Sequence, residues 1–220
     1  GLGDALQFVR YLPLLVNGGA RVTLVVSAGL ARLFSLSFPS VRVVTYSDVV
    51  PQGGYDACLA MPDLPFVMGL EKPADVLATV PYLQTDAADV ARFAALLPAV
   101  RPRIGLVWAG GQRTKPSDVL TDQRRSTTAE QMLRALTPVR AALVNLQLGP
   151  RREELAAWRG QPVCDLMDRA GDMADTAALI EGLDLVISVD TSVVHLAGAL
   201  GKPVWLLSRW DGCWRWGDAG

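Results

Sequence analysis

Short, unbroken apolar runs separated by helical stretches constrain this 220-residue chain more than any other feature. Strands are expected at 21–26 (RVTLVV), 41–46 (VRVVTY), 56–60 (DACLA), 103–108 (RIGLVW), 142–148 (ALVNLQL), 163–166 (VCDL), 184–189 (DLVISV) and 203–207 (PVWLL). Runs without polar alternation suit strands covered on both faces, as in a parallel sheet flanked by helices. The segments between them predict helices over 5–17, 28–36, 86–97, 151–158, 172–181 and 191–200. Pro13 should bend or split the first. Another helix runs to Leu136 from a cap at Thr127 or Thr128, with Glu130 near its third position. Residues 110–126 read as a polar, basic loop. The expected fold class is therefore α/β, with two Rossmann-like halves at 1–98 and 99–220.

Composition narrows the function. Half the residues are hydrophobic and the net charge is -1, with mean hydropathy +0.26. That excludes intrinsic disorder and a nucleic-acid binder driven by bulk charge. Arg10 and Arg21 interrupt the most apolar stretch, so no transmembrane segment is expected. Cys58, Cys164 and Cys213 are widely spaced and His195 is the single histidine, so no metal site is expected. Reduced thiols and the lack of a signal-peptide pattern point to the cytoplasm. Gly1-Leu2-Gly3-Asp4 resembles a strand-to-helix turn without its strand, and the end at 215–220 reads as mid-segment. The chain is accordingly read as part of a longer protein, its N-terminal half lacking a first strand and its C-terminal end truncated.

Three segments carry candidate chemistry. In Asp190-Thr191-Ser192-Val193-Val194-His195, a strand gives way to a helix within two residues. Thr191 or Ser192 is a suitable cap, and the first helical amides then suit a phosphate. His195 falls on the same face of that first turn. A capped helix with a packed histidine fits the pattern too. Gly198 and Gly201 suggest close helix–strand packing and a helix stop. Between Arg101 and Ser126, six basic residues (Arg101, Arg103, Arg113, Lys115, Arg124, Arg125) stand against two acids (Asp118, Asp122), a local excess of four. Such a loop at the carboxyl edge of a sheet suits a diphosphate, or simply solvent. Asp4, at a helix start, is either a dipole complement or a general base. Leu6 stands where G-x-G-x-x-G requires glycine, which disfavours a nicotinamide or flavin cofactor. Trp205, Trp210, Trp214 and Trp216 are read as packing residues before stacking platforms, and Asp165, Asp172 and Asp175 as loop and cap residues.

G-L-G-D at 1–4, V-W-A-G at 107–110, R-R-S at 124–126 and D-T-S-V-V-H-L-A-G-A-L-G-K-P-V-W at 190–205 together resemble glycosyltransferase family 9. GLGDALQFVRYLPLL and the W-R-W at 214–216 resemble its branch fused behind tetratricopeptide repeats. The resemblance implies a GT-B fold with two Rossmann-like halves facing across a cleft. It implies inverting, metal-independent transfer of a sugar from a nucleotide-diphosphate donor to a carbohydrate or protein acceptor. Asp4 matches the proposed base. Asp190, Thr191, Ser192 and His195 match the donor-binding turn. Lys115 or Arg124 and Arg125, with Ser126, match the diphosphate side. No cofactor is implied beyond the donor substrate. Two other readings remain: a non-catalytic nucleotide-sugar-binding or protein-interaction module attached to the repeats, and a nucleotide-sugar epimerase.

Overall fold

The computed structural model describes residues 1–48, 53–72, 75–77, 79–111, 116–212 and 214–216. The first expected helix is divided. Helix α1 (Leu2–Phe8) passes through a tight turn at Val9–Tyr11 into α2 (Leu12–Asn17). Pro13 sits in the first turn of α2, where its missing N–H leaves no bond unmade. Strands β1 (Thr23–Val26) and β2 (Arg42–Thr45) pair in parallel across α3 (Ala28–Ser37), with Leu24 opposite Val43. The strand expected at 56–60 does not form. Those residues are exposed and join no ladder, and their Asp and Ala have little preference for a pleated, half-buried surface. The short α4 (Leu64–Val67) follows, then α5 (Ala87–Ala94). Asp86 caps α5, its Oδ1 accepting from the amides of Ala88 at 2.8 Å and Asp89 at 3.1 Å.

The second half contains β3 (Arg103–Val107), α6 (Pro116–Arg125), α7 (Ala129–Leu136), β4 (Ala142–Asn145), β5 (Val163–Asp165), α8 (Met173–Glu181), β6 (Leu185–Val189), α9 (Ser192–Ala199) and β7 (Val204–Leu207). Its five parallel strands lie in the order β5-β4-β3-β6-β7. The strand order reverses between β3 and β6, and open parallel sheets bind ligands at the carboxyl ends flanking such a reversal. Most of the expected basic loop is helix α6. Pro116 opens that helix, and Arg124 and Arg125 close it as cations at the negative end of the dipole. Thr128, rather than Thr127, caps α7 by accepting from the amide of Gln131 at 3.1 Å. Glu130 instead receives Arg134 one turn along, at 2.7 Å. Residues 150–157 form a tighter 3-10 helix, in keeping with their polar sequence.

One apolar core joins the halves. Leu6, Leu33, Phe34, Phe93 and Leu97 pack in the same cluster as Ala177, Leu179, Ile180 and Leu196. A second cluster, with Leu106, Trp108, Met132 and Leu133, fills the other face of the larger sheet. Polar contacts bridge the halves as well. Arg32 of α3 donates to Asp172 at 2.7 Å and Asp175 at 2.6 Å, and also to Asp89. Arg92 donates to Asp89 at 2.9 Å and Asp175 at 2.7 Å. Asp172 and Asp175 therefore do more than cap and line a loop. Trp205 is 64% exposed and Trp210 fully so, against the packing expected of them. Cys58 is exposed and Cys164 half-buried, while Cys213 lies outside the described residues. Among the described residues, no helix is long and apolar enough to cross a membrane.

Candidate functional site

The two loops at the strand reversal follow β3 and β6, and side chains lock them together. Arg125, at the end of α6, donates through Nη1 to the carbonyl of Asp190 at 2.9 Å. Its Nε and Nη2 hold Asp122 Oδ1 at 3.0 and 2.8 Å. Gly110 makes room for this pair. A Cβ there would lie 2.0 Å from Asp122 Oδ1 and 2.3 Å from Arg125 Nη2. Ser126 Oγ accepts from the Gly110 amide at 3.1 Å, and the Thr127 amide reaches the Trp108 carbonyl at 2.8 Å. Ser126 thus fixes the loop carrying the V-W-A-G sequence. From the other side, buried Gln147 accepts from the amides of Trp108 at 3.2 Å and Ala109 at 2.9 Å. Asn145 Oδ1 holds the Gln147 amide at 2.8 Å, and Asn145 Nδ2 reaches Asp165 at 2.9 Å. The sequence reading missed this network. Its signal was the polar Asn145 and Gln147 inside an otherwise apolar run.

Thr191 is the N-cap residue of α9, but its side chain makes no capping bond. Its hydroxyl lies 3.2 Å from Ser188 Oγ instead. Ser192 opens the helix. The Val194 amide bonds back to the Thr191 carbonyl at 3.2 Å, and the amides of Ser192 and Val193, at the helix start, have no intrahelical acceptor. With the helix dipole, these amides favour an anion. A guanidinium has five N–H donors, and three of those of Arg125 are committed among the described residues. The remainder suits a phosphate oxygen at the same turn. Arg124 is separated from this point: it is mostly exposed and points to Asp211, 3.5 Å away. Lys115 lies outside the described residues.

Asp4 approaches from the first half because α1 packs directly on α9. Gly3 permits the contact: a Cβ there would stand 3.0 Å from His195 Cδ2 and 3.7 Å from the Ser192 Cα. Gly198 is not the close-packing position expected, since a Cβ would meet nothing within 4 Å. Gly201 does stop the helix, at φ +72°. Tyr82 fastens α1 by donating to the Leu6 carbonyl at 2.9 Å while its own amide reaches Ala199 at 3.0 Å.

The last described turn, residues 214–216, closes over this junction. Arg215 donates to Asp4 Oδ1, and to Gln7 Oε1 at 2.9 Å. Trp216 stacks on His195 with ring centroids 5.0 Å apart. Burial opposes ionisation of Asp4. Arg215, which pairs with the carboxylate, favours its ionised form. Burial, opposed by Asp190, pushes the His195 pKa down, so the imidazole is neutral near pH 7. Trp216 packs on His195, as the packing reading of that residue expects, whereas Arg215 and Gln7 were not singled out as candidates from the sequence. Among the described residues, no group of three or more His, Cys, Asp or Glu side chains could hold a metal ion.

An α/β fold whose strand order reverses between β3 and β6 defines the class, and it places the candidate site at the carboxyl edge of a parallel sheet. Residues 152–207 match Glycosyltransferase family 9 (heptosyltransferase). Protein FlbA of Caulobacter vibrioides is 28% identical over 234 residues, covering 94% of this chain. The chain spans 38% of the length of FlbA. The fold is similar to that of E. coli heptosyltransferase WaaC with ADP-2-deoxy-2-fluoro heptose. That likeness has a TM-score of 0.55 at 16% identity, covering 94% of this chain and 85% of that one. It is also similar to E. coli ADP-heptose lps heptosyltransferase II, with a TM-score of 0.59 at 14% identity over 93% and 81% of the two chains. The iron-containing dodecameric glycosyltransferase TibC of enterotoxigenic E. coli gives 0.55 at 16% identity, over 93% and 55%. These likenesses establish the α/β heptosyltransferase fold.

Proposed function

We propose that the chain is the catalytic unit of a glycosyltransferase that moves a sugar from a nucleotide-diphosphate donor to an acceptor hydroxyl, with inversion and without an essential metal. One observation carries the reading: Arg125 bonds the loop that opens α9, and α1, the helix that bears Asp4, packs on the first turn of the same helix. The α9 amides and Arg125 receive the diphosphate and stabilise the charge it gains on leaving. Asp4 takes the proton of the acceptor hydroxyl, whose oxygen forms a bond to the anomeric carbon. The bond from that carbon to the diphosphate breaks on the opposite face, and the diphosphate leaves with the electron pair. The Arg125 guanidinium and the helix amides at the proposed diphosphate position support metal independence. The halves at 1–98 and 99–220 act as acceptor and donor sides. Upstream tetratricopeptide repeats, and an acceptor of carbohydrate or protein, belong to the same reading.

ADP-heptose is the donor to try first, because WaaC was determined with its 2-deoxy-2-fluoro analogue. The test is sugar transfer by the full chain and by Asp4→Asn. Transfer should fall by about 10²–10⁴-fold in the variant, while ADP affinity stays within about twofold. Undiminished transfer by the variant removes Asp4 from the role of base. ADP binding without transfer to any carbohydrate or protein acceptor favours a binding module.

A further inference from the structure

The turn at 214–216 belongs to neither phosphate loop, yet it touches both sides of the junction. Arg215 lies between Asp4 and Gln7 of α1, and Trp216 lies on His195 of α9. An arginine paired with a carboxylate holds it in one orientation but weakens it as a base, since the pair stabilises the ionised form. A carboxylate that must accept a proton needs that grip relaxed. A multiply charged phosphate is a stronger partner for a planar guanidinium than one carboxylate is.

We propose that Arg215 is a positioning residue that serves both Asp4 and the donor: it orients Asp4 and turns to the donor's diphosphate when that group occupies the α9 turn. The proposal rests on the glycosyltransferase reading and deepens it, because donor binding then makes Asp4 a competent base. Two features favour exchange over a fixed structural pair. The Arg215 and Asp4 side chains keep 23% and 38% of their surface in solvent, so neither is locked into the core. Trp216 anchors the turn on His195, so an exchange of partners at Arg215 requires its side chain to move and not its backbone. Among the described residues, the charged and titratable groups acting at this junction include Arg215 on Asp4, and Asp190, Arg215, Asp4 and Arg10 on His195.

The experiment follows the Asp4 carboxyl by ¹³C NMR in the full chain as pH is lowered, with and without saturating ADP. It is repeated in Arg215→Gln and Arg215→Lys, and Asp4→Asn assigns the signal. ADP affinity is measured calorimetrically for each protein. In the unsubstituted chain, ADP should raise the Asp4 midpoint by about 1 pH unit or more, the usual effect of removing a close opposite charge. Arg215→Gln should raise that midpoint without ADP, abolish the response to ADP and weaken ADP binding about tenfold. Arg215→Lys should restore the ADP-free midpoint and part of the affinity. ADP that binds tightly yet leaves the midpoint unmoved overturns the exchange and leaves the donor site standing. If neither ADP, UDP nor GDP binds, the glycosyltransferase reading fails and the exchange fails with it. An Arg215→Gln chain whose Asp4 titrates as in the unsubstituted protein contradicts the pairing itself.

Discussion

His195 is the only histidine in the chain, so any stability change that histidine titration causes near neutrality can be traced to one ring. Burial lowers its pKa from the ordinary 6.5. The unfolded chain therefore binds the proton more readily, and stability falls as pH drops below about 6.5 toward the lower folded value. Asp165 and Asp172 are shifted down from 3.8, each because ion pairs or hydrogen bonds outweigh burial. Their contribution persists above 3.8 and is lost only as pH falls below it. Urea unfolding at pH 7 and pH 5.5 should show a loss that His195→Gln lacks. An equal loss in that variant would put the titrating group elsewhere. Gly110 gives a second test at this scale. Gly110→Ala drives Asp122 and Arg125 apart and should weaken ADP binding at least tenfold in calorimetry, with the secondary structure unchanged. Asp190, Thr191, Ser192 and Asp4 were legible as candidates because a strand-to-helix turn needs caps and acids at fixed places. The Arg215–Asp4 contact was not, because no local pattern pairs residues 211 positions apart.

Elements separate capping from ligand binding. Thr128 and Thr191 both precede a helix, but only Thr128 has its hydroxyl on a helix amide. Thr128→Ala should cost about 1 kcal/mol in denaturant unfolding. Thr191→Ala should cost less than about 0.5 kcal/mol while still weakening ADP binding; a larger loss would mean that this hydroxyl supports the turn itself. Apolar runs and caps located most of the helices and strands because those signals are local. Other segments escaped them, the short α4 among them. Residues 56–60 had a strand's composition in part but gained no pairing partner. Helix α6 has little apolar character, so its charge suggested a loop, while its proline and terminal arginines were the helix signals.

The halves share an apolar core and the ionic cluster around Arg32 and Arg92, so the described fold should unfold in a single cooperative step. Arg32→Ala should lower stability by about 1–2 kcal/mol, since each exposed pair contributes only about 0.2–1. The difference from the unsubstituted chain should shrink in 1 M salt; a salt-independent loss would assign the role of Arg32 to packing. Alternating strands and helices made the α/β class readable, but the shared core was not, because it depends on long-range contacts such as Leu6 with Leu196. The central proposal is that the loops after β3 and β6 hold a diphosphate between Arg125 and the α9 amides. Calorimetric titration of the full chain and Arg125→Gln with ADP tests it most directly. The account predicts saturable 1:1 binding that pyrophosphate competes away and that the substitution weakens at least tenfold. Equal ADP affinity in the two proteins would contradict it.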